Sequence, residues 1–197
     1  MASGTATATA SYELRFDSGR ICLDLLATTH PEERLDTVDR LRVWITRSGL
    51  VPAGTPLAAA DPPWLVGFRE LRGQVAQLVR GELDGRPAEA ALARVNALAL
   101  VAPPALSAVR AEDGSLRRGL HTPPGCPGLL AVIARDALEL LTDPAARASL
   151  RQCAGDNCPI VYLDTSRGRR RRWCSSEVCG NRERVARHRR RAALARA

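Results

Sequence analysis

Four of the chain's six cysteines fall in one stretch, "CAGDNCPIVYLDTSRGRRRRWCSSEVCGNRERVARHRRR", residues 153–191. Cys153 and Cys158 are separated by four residues, Cys174 and Cys179 by four more, and fifteen residues lie between the pairs. This spacing constrains the fold more than any other feature. The segment 151–197 has few large apolar side chains, and a unit so small cannot close a core by burial alone. Two short-range thiol pairs offer a substitute, because a tetrahedral Zn²⁺ takes four sulfur ligands at about 2.3 Å. Gly155, Asp156 and Asn157 are turn formers that suit a knuckle folding both sulfurs onto one ion. Two disulfides or four buried thiols are the alternatives. In a cytoplasmic chain, where disulfides are rare, the metal reading is preferred, with Cys153, Cys158, Cys174 and Cys179 as ligands of a structural ion. Four cysteines leave no open position for water, unlike a catalytic zinc site. His188 lies nine residues beyond Cys179, about 13–14 Å along a helix, too far to share the ion.

Within this unit "PIVYLD" and "RRRRW" read as two strands joined by "TSRG", a hairpin that brings the two cysteine pairs together. Ser175 or Ser176 is placed to cap a following helix. That puts Cys179 in its first turn, where the helix dipole favours a thiolate.

Charge is distributed unevenly. All 29 basic residues are arginine; residues 1–150 carry 16 of them against 17 acids, and residues 151–197 carry 13 against 4. Such asymmetry points to a polyanionic partner. Arg169, Arg170, Arg171 and Arg172 crowd the expected second strand, with Arg167 before them. On a strand, Arg169 and Arg171 would oppose Arg170 and Arg172. Arg182, Arg184, Arg187, Arg189, Arg190, Arg191 and Arg196 line the expected helix. Guanidinium forks match phosphate oxygens in bidentate fashion, and a basic helix rising from a metal site suits a nucleic-acid groove. Asn181 and Arg182 are the candidates for base-edge contacts; equally, they could brace the fold around the metal. A membrane-surface helix is disfavoured, since its apolar face would hold only Val178, Val185, Ala192 and Leu194.

The preceding residues read as a mainly helical domain. "MASGTATATA" is a short disordered tail, without the basic and apolar regions of a signal peptide. Apolar spacing places helices over "SGRICLDLLATTHPEE" and "LDTVDRLRVWITRSGL". A third helix starts after an Asp61 cap with Pro62 at its first position and continues to about Leu83. A fourth runs from Pro87 to about Leu100. Two short runs around Asp113-Gly114 give a hairpin. "GLLAVIARDALELL" is a strongly apolar helix, and "PAARASLRQ" a short helix leading into Cys153. Trp44 and Trp64 read as core anchors, and Cys22 as a buried small hydrophobe. His30 and His121 lie in loops without companions at catalytic spacing. No nucleophile elbow, phosphate loop or second metal signature is present, so no enzymatic activity is expected. No apolar run approaches the ~20 residues of a membrane span. The expected fold class is α+β, mostly helical: a disordered tail over 1–10, a helical domain with one hairpin over 11–150, and a metal-bound, treble-clef-like hairpin and helix over 151–197.

The tetrapeptide "CGNR" at Cys179-Gly180-Asn181-Arg182, with the cysteine pairs, "LDTS", "RRWC" and the basic helix, resembles the CGNR zinc finger family over about 40 residues. The N-terminal part, through "GRICLDLLATT" and "LRVWITRSGL", is similar to the ABATE domain that commonly precedes this finger. The chain departs from the usual pattern at Ala27, where Asn is usual, and at Ser176, where Met is usual. The resemblance implies a bacterial transcription regulator that binds DNA through the finger. Together with the charge, it gives the expectation of a cytoplasmic regulator that binds Zn²⁺ and DNA, with RNA as the alternative polyanion. An N-terminal sensing or dimerisation domain would take an unidentified small-molecule effector. A module of this size buries limited DNA surface, which points to a homodimer.

Overall fold

The computed structural model describes residues 14–194; the expected disordered tail and Arg196 lie outside the described residues. The helical domain is built around α3, Pro62–Asp84. Asp61 caps this helix, its side chain accepting from the Trp64 amide, and Gly85 ends it in the left-handed conformation. Its apolar stripe, Trp64, Leu65, Phe68, Leu71, Val75, Leu78 and Val79, is buried, as the 3.6-residue period requires of a core-facing helix. Around it pack α1 (Ile21–Leu26), continued by a 3₁₀ turn Ala27–Thr29, and α2 (Val38–Arg47), α4 (Glu89–Ala99) and α5 (Cys126–Thr142). Trp44 of α2 meets Phe68 edge to face with ring centroids 5.9 Å apart, and Cys22 is fully buried. Strands β1 (Leu106–Arg110) and β2 (Leu116–Leu120) form the expected antiparallel hairpin, pairing Leu106 with Leu120 and Arg110 with Leu116.

After the four-residue helix α6 (Pro144–Arg147), the structure departs from expectation. "LRQ" is not the end of a helix but strand β3 (Leu150–Gln152), and it pairs antiparallel with β4 (Val161–Leu163). The segment "RRRRW", 169–173, forms no strand. The hairpin therefore encloses the first cysteine pair instead of joining the two pairs. The reason lies in hydrogen bonding around Asp164. Its carboxylate accepts from the amides of Ser166 and Arg171 and from the Ser166 hydroxyl at 3.0, 3.0 and 2.6 Å. That wraps residues 164–171 into a tight loop, with Arg169 at φ +48°. The opposing-face assignment for Arg169–Arg172 falls with the strand.

The cysteine module is seated on the helical domain. Leu150 and Val161 are buried in the same apolar cluster as α3, with Leu163 packed against it. The Leu163 amide donates to the Ser18 carbonyl at 2.8 Å. Gly19 (φ +92°) makes this approach possible, for a Cβ there would lie 3.0 Å from that of Leu163. The module ends in a π turn, Ser176–Gly180, which continues directly into α7, Asn181–Leu194.

Candidate metal centre and basic surface

The turn Cys153–Cys158 is closed by the Cys158 amide donating to the Gly155 carbonyl at 3.1 Å, and Asn157 takes φ +57°, a conformation asparagine tolerates better than most residues. Gly155 leaves room beside the thiols: a Cβ there would stand a tight 3.3 Å from Cys179 Cβ and in contact with the sulfurs of Cys179 and Cys153, at 3.4 and 3.5 Å. The Ser175 hydroxyl accepts from the Glu177 and Val178 amides, both at 3.2 Å, and so starts the turn that delivers Cys179.

All four thiols are buried, and their sulfurs lie within 4.8 Å of one another. Cys174 Sγ is 3.7 Å from Cys158 Sγ and 3.6 Å from Cys179 Sγ. No cysteine is in a disulfide, whose sulfurs would sit about 2.05 Å apart. A tetrahedral ion with metal–sulfur bonds of about 2.3 Å needs sulfur–sulfur edges of about 3.8 Å, so the donor set fits a metal ion and closes its coordination sphere.

Donors surround the sulfurs. The Gly155 and Cys174 amides donate to Cys153 Sγ at 3.4 and 3.3 Å, and Arg15 Nη1 donates to Cys174 Sγ at 3.0 Å. The thiols differ in acidity as a result. Hydrogen bonding to Cys158, opposed by burial and reinforced by Arg15, draws Cys174 down to about 4. Burial pushes Cys179 up to about 11. The hydrogen bond to Cys174, then burial, raises Cys158. A metal cation that draws thiolates from this cluster must displace the protons that these raised values hold on Cys158 and Cys179.

Arg15 escaped sequence reasoning. It also donates to the Cys174 carbonyl at 2.7 Å and pairs with Asp17 at 2.8 Å; 159 residues from its partner, it had no local signal. Tyr162 and Asp164 were likewise missed as organisers. The Tyr162 hydroxyl donates to the Arg171 carbonyl at 2.6 Å. Hydrogen bonding from Ser166 holds the Asp164 carboxyl below its ordinary range.

The expected polyanion contacts fall into three groups. Arg171 is turned inward: its guanidinium lies 4.4 Å from the Tyr162 ring centroid and donates to the Trp173 and Cys174 carbonyls. Arg169, Arg170 and Arg172 are exposed beside the Asp164 loop, with Arg172 over the Trp173 ring at 5.2 Å. The third group is on α7, where Arg182, Arg184, Arg187, Arg189, Arg190 and Arg191 are all exposed. Arg184 donates to the Gly180 and Ser176 carbonyls, and Arg190 pairs with Glu183 at 2.8 Å. Asn181 and Arg182 border a cleft of about 880 Å³ between the module and the helical domain, together with Arg15, Phe16 and His30. Burial, partly offset by Cys174, and the positive charges of Arg182, Arg15 and Arg34 hold the His30 imidazole below its ordinary value.

A helical domain joined to a four-cysteine metal centre with a basic helix defines a two-part protein of the zinc-finger class. The chain belongs to the ABATE family, described as "Putative stress-induced transcription regulator", which matches residues 19–144, and residues 149–192 match the CGNR zinc finger. No curated protein matches the chain. Among the described residues no helix is long and apolar enough to cross a membrane.

Proposed function

We propose that the chain is a zinc-dependent, DNA-binding transcriptional regulator acting in the cytoplasm. In this reading the four-cysteine centre holds Zn²⁺ as a structural ion, α7 lies against duplex DNA, and the helical domain senses an effector or pairs two copies. The observation that carries it is the state of the α7 arginines. Arg182, Arg187, Arg189 and Arg191 are exposed and have no hydrogen-bond or ion-pair partner among the described residues. Such a density of like charge repels itself until a polyanion neutralises it. Thiolate donors suit zinc, and a closed four-sulfur shell provides no position for a reacting water, so the reading assigns no catalysis.

The test is the salt dependence of binding to duplex DNA recovered from cell extract. Each phosphate contact contributes about −0.9 to the slope of log K against log salt. Replacing Arg187, Arg189 and Arg191 by Gln should therefore flatten the slope by up to about 2.7, with metal content unchanged. An unchanged slope removes α7 as the contact surface. Preferential retention of RNA at equal salt replaces DNA by RNA as the partner, and a monomer at one half-site removes the dimer.

A further inference from the structure

Between α3 and the segment that follows Cys158 lies a cavity of about 300 Å³. The helical domain contributes Arg69, Arg72 and Arg80 to its wall, and the cysteine module contributes Pro159, Ile160 and Val161. Positions 69 and 80 are about three turns apart along α3, and position 72 is one turn above 69, so the three guanidinium groups leave one face of the helix. Gly73 and Ala76 lie between them on the cavity wall. A Cβ at Gly73 would meet nothing within 4 Å. A glycine inside a helix costs about 1 kcal/mol relative to alanine, and nothing packed against Gly73 demands it. The space it leaves is part of the cavity.

The charges around this space do not balance. Among the described residues, Glu33 is the one carboxylate paired with these arginines. Arg72, itself buried, donates to both Glu33 oxygens at 2.7 and 2.5 Å and to the Thr28 hydroxyl at 2.8 Å. Arg69 Nε donates to the Leu35 carbonyl at 2.7 Å and lies 4.0 Å from the same carboxylate. Arg80 has no hydrogen-bond or ion-pair partner among the described residues. Three guanidinium groups thus stand against one carboxylate among the described residues, leaving two positive charges in excess at a cavity otherwise walled by Leu26, Val79, Ile160 and Val161.

We propose that this cavity binds a small organic anion, its phosphate or carboxylate held by Arg69 and Arg80 and its short apolar body set against Val79 and Ile160. Bidentate guanidinium donors suit both head groups. The ligand would touch α3 on one side and residues 159–161, next to Cys158, on the other. Its binding is thereby linked to the placement of the cysteine module. This deepens the sensing part of the function proposed above and does not depend on nucleic-acid binding.

The test uses the full-length, metal-loaded protein and titration calorimetry at low salt with inorganic phosphate, a short alkyl phosphate and a short-chain dicarboxylate. Saturable binding of at least one probe is expected, weakened at least tenfold in Arg80→Ala and lost in Gly73→Leu, which fills the space. A response to the phosphates alone, or to the dicarboxylate alone, assigns the head group. Arg80 is exposed and unpartnered, so its variant folds even where Gly73→Leu does not. No saturable binding of any probe, or equal affinity in wild type and Arg80→Ala, overturns the proposal. DNA retention measured on the same samples separates this failure from failure of the DNA-binding reading.

Discussion

Around α3 the buried residues are mainly Leu, Val, Ile, Phe, Trp and Ala side chains, most of them from five helices, whereas the module's own buried cluster consists of Cys153, Cys158, Cys174, Cys179, Ile160 and Tyr162, edged by Trp173. The first is a core that apolar burial can hold. Most of the second is sulfur, and each thiol brought close to three others is a liability unless something binds them all. The contrast shows two kinds of cohesion in one chain, joined where Leu150, Val161 and Leu163 of the short hairpin reach into the larger core.

Removing a ligand breaks the comparison most severely. Structural zinc contributes about 10–16 kcal/mol to small fingers, far more than Ile160 and Tyr162 can replace. Cys158→Ser, or a strong chelator, should release the metal and unfold residues 153–191 while α3 and its neighbours stay helical. The measurements are metal content together with hydrogen exchange resolved by segment. Protection retained at Tyr162–Cys179 after metal loss would show that the module does not need the ion.

The reciprocal change strikes the apolar core. Phe68 is fully buried against Trp44, and Phe→Ala in such a position costs about 3–5 kcal/mol. Phe68→Ala should lower the melting temperature of the helical domain but leave the metal stoichiometry at one per chain. Loss of metal at temperatures where the helical domain is still folded would mean that the two kinds of cohesion are not separable.

These differences set what was legible in the sequence. The cysteine spacing announced the metal centre because the ligands come in two local pairs and the chemistry of thiols is narrow. The helices were readable for a similar reason: Asp61, Pro62 and Gly85 mark the ends of α3 in the residues themselves. The hairpin of the module was assigned to the wrong partner. A three-residue strand such as Leu150–Gln152 shows no alternation, and Asp164 acts on Arg171 through backbone amides that composition does not reveal. Arg171 read as one more arginine in a run, yet its surroundings make it a brace over Tyr162. The contact between Arg15 and Cys174 spans almost the whole chain, and sequence spacing carries no information at that range.

Arg15 sharpens the comparison because it belongs to the helical domain's leading segment and acts on the metal centre. Its side chain is 19% exposed, and it donates to both the sulfur and the carbonyl of Cys174. Hydrogen bonds to charged groups contribute about 1.5–3 kcal/mol. Arg15→Met, which keeps much of the stem packing, should raise the dissociation constant for the metal about 12- to 140-fold at neutral pH, the fold-change equivalent to that range. Helical-domain stability should be unchanged. A competition titration with a chromogenic chelator reads the affinity, and an unaltered value would confine the role of Arg15 to its ion pair with Asp17.

The smallest effect is electrostatic and lies at the joint between the two regions. Asp24 accepts the Ser18 amide at 2.9 Å, and Ser18 in turn accepts from Leu163 of the module. Burial raises the Asp24 carboxyl to about 6, against the opposing Ser18 hydrogen bonds, with Asp17 and Asp136 adding repulsion. An acid raised on folding binds more protons in the native than in the unfolded state between its two values. Its contribution to stability therefore falls as pH rises from about 4 to about 6 and stays unfavourable above that window. A shift of this size corresponds to at most about 3 kcal/mol, and residual solvation of the carboxylate reduces it, to roughly 1–2 kcal/mol. Asp24→Asn keeps an oxygen for the Ser18 amide and removes the charge. The variant should gain about that much over wild type at pH 7 and lose the advantage by pH 4. Parallel urea denaturation at the two pH values, on metal-loaded protein of each, measures the difference. A constant offset between the two proteins would show that Asp24 acts through shape and hydrogen bonding alone.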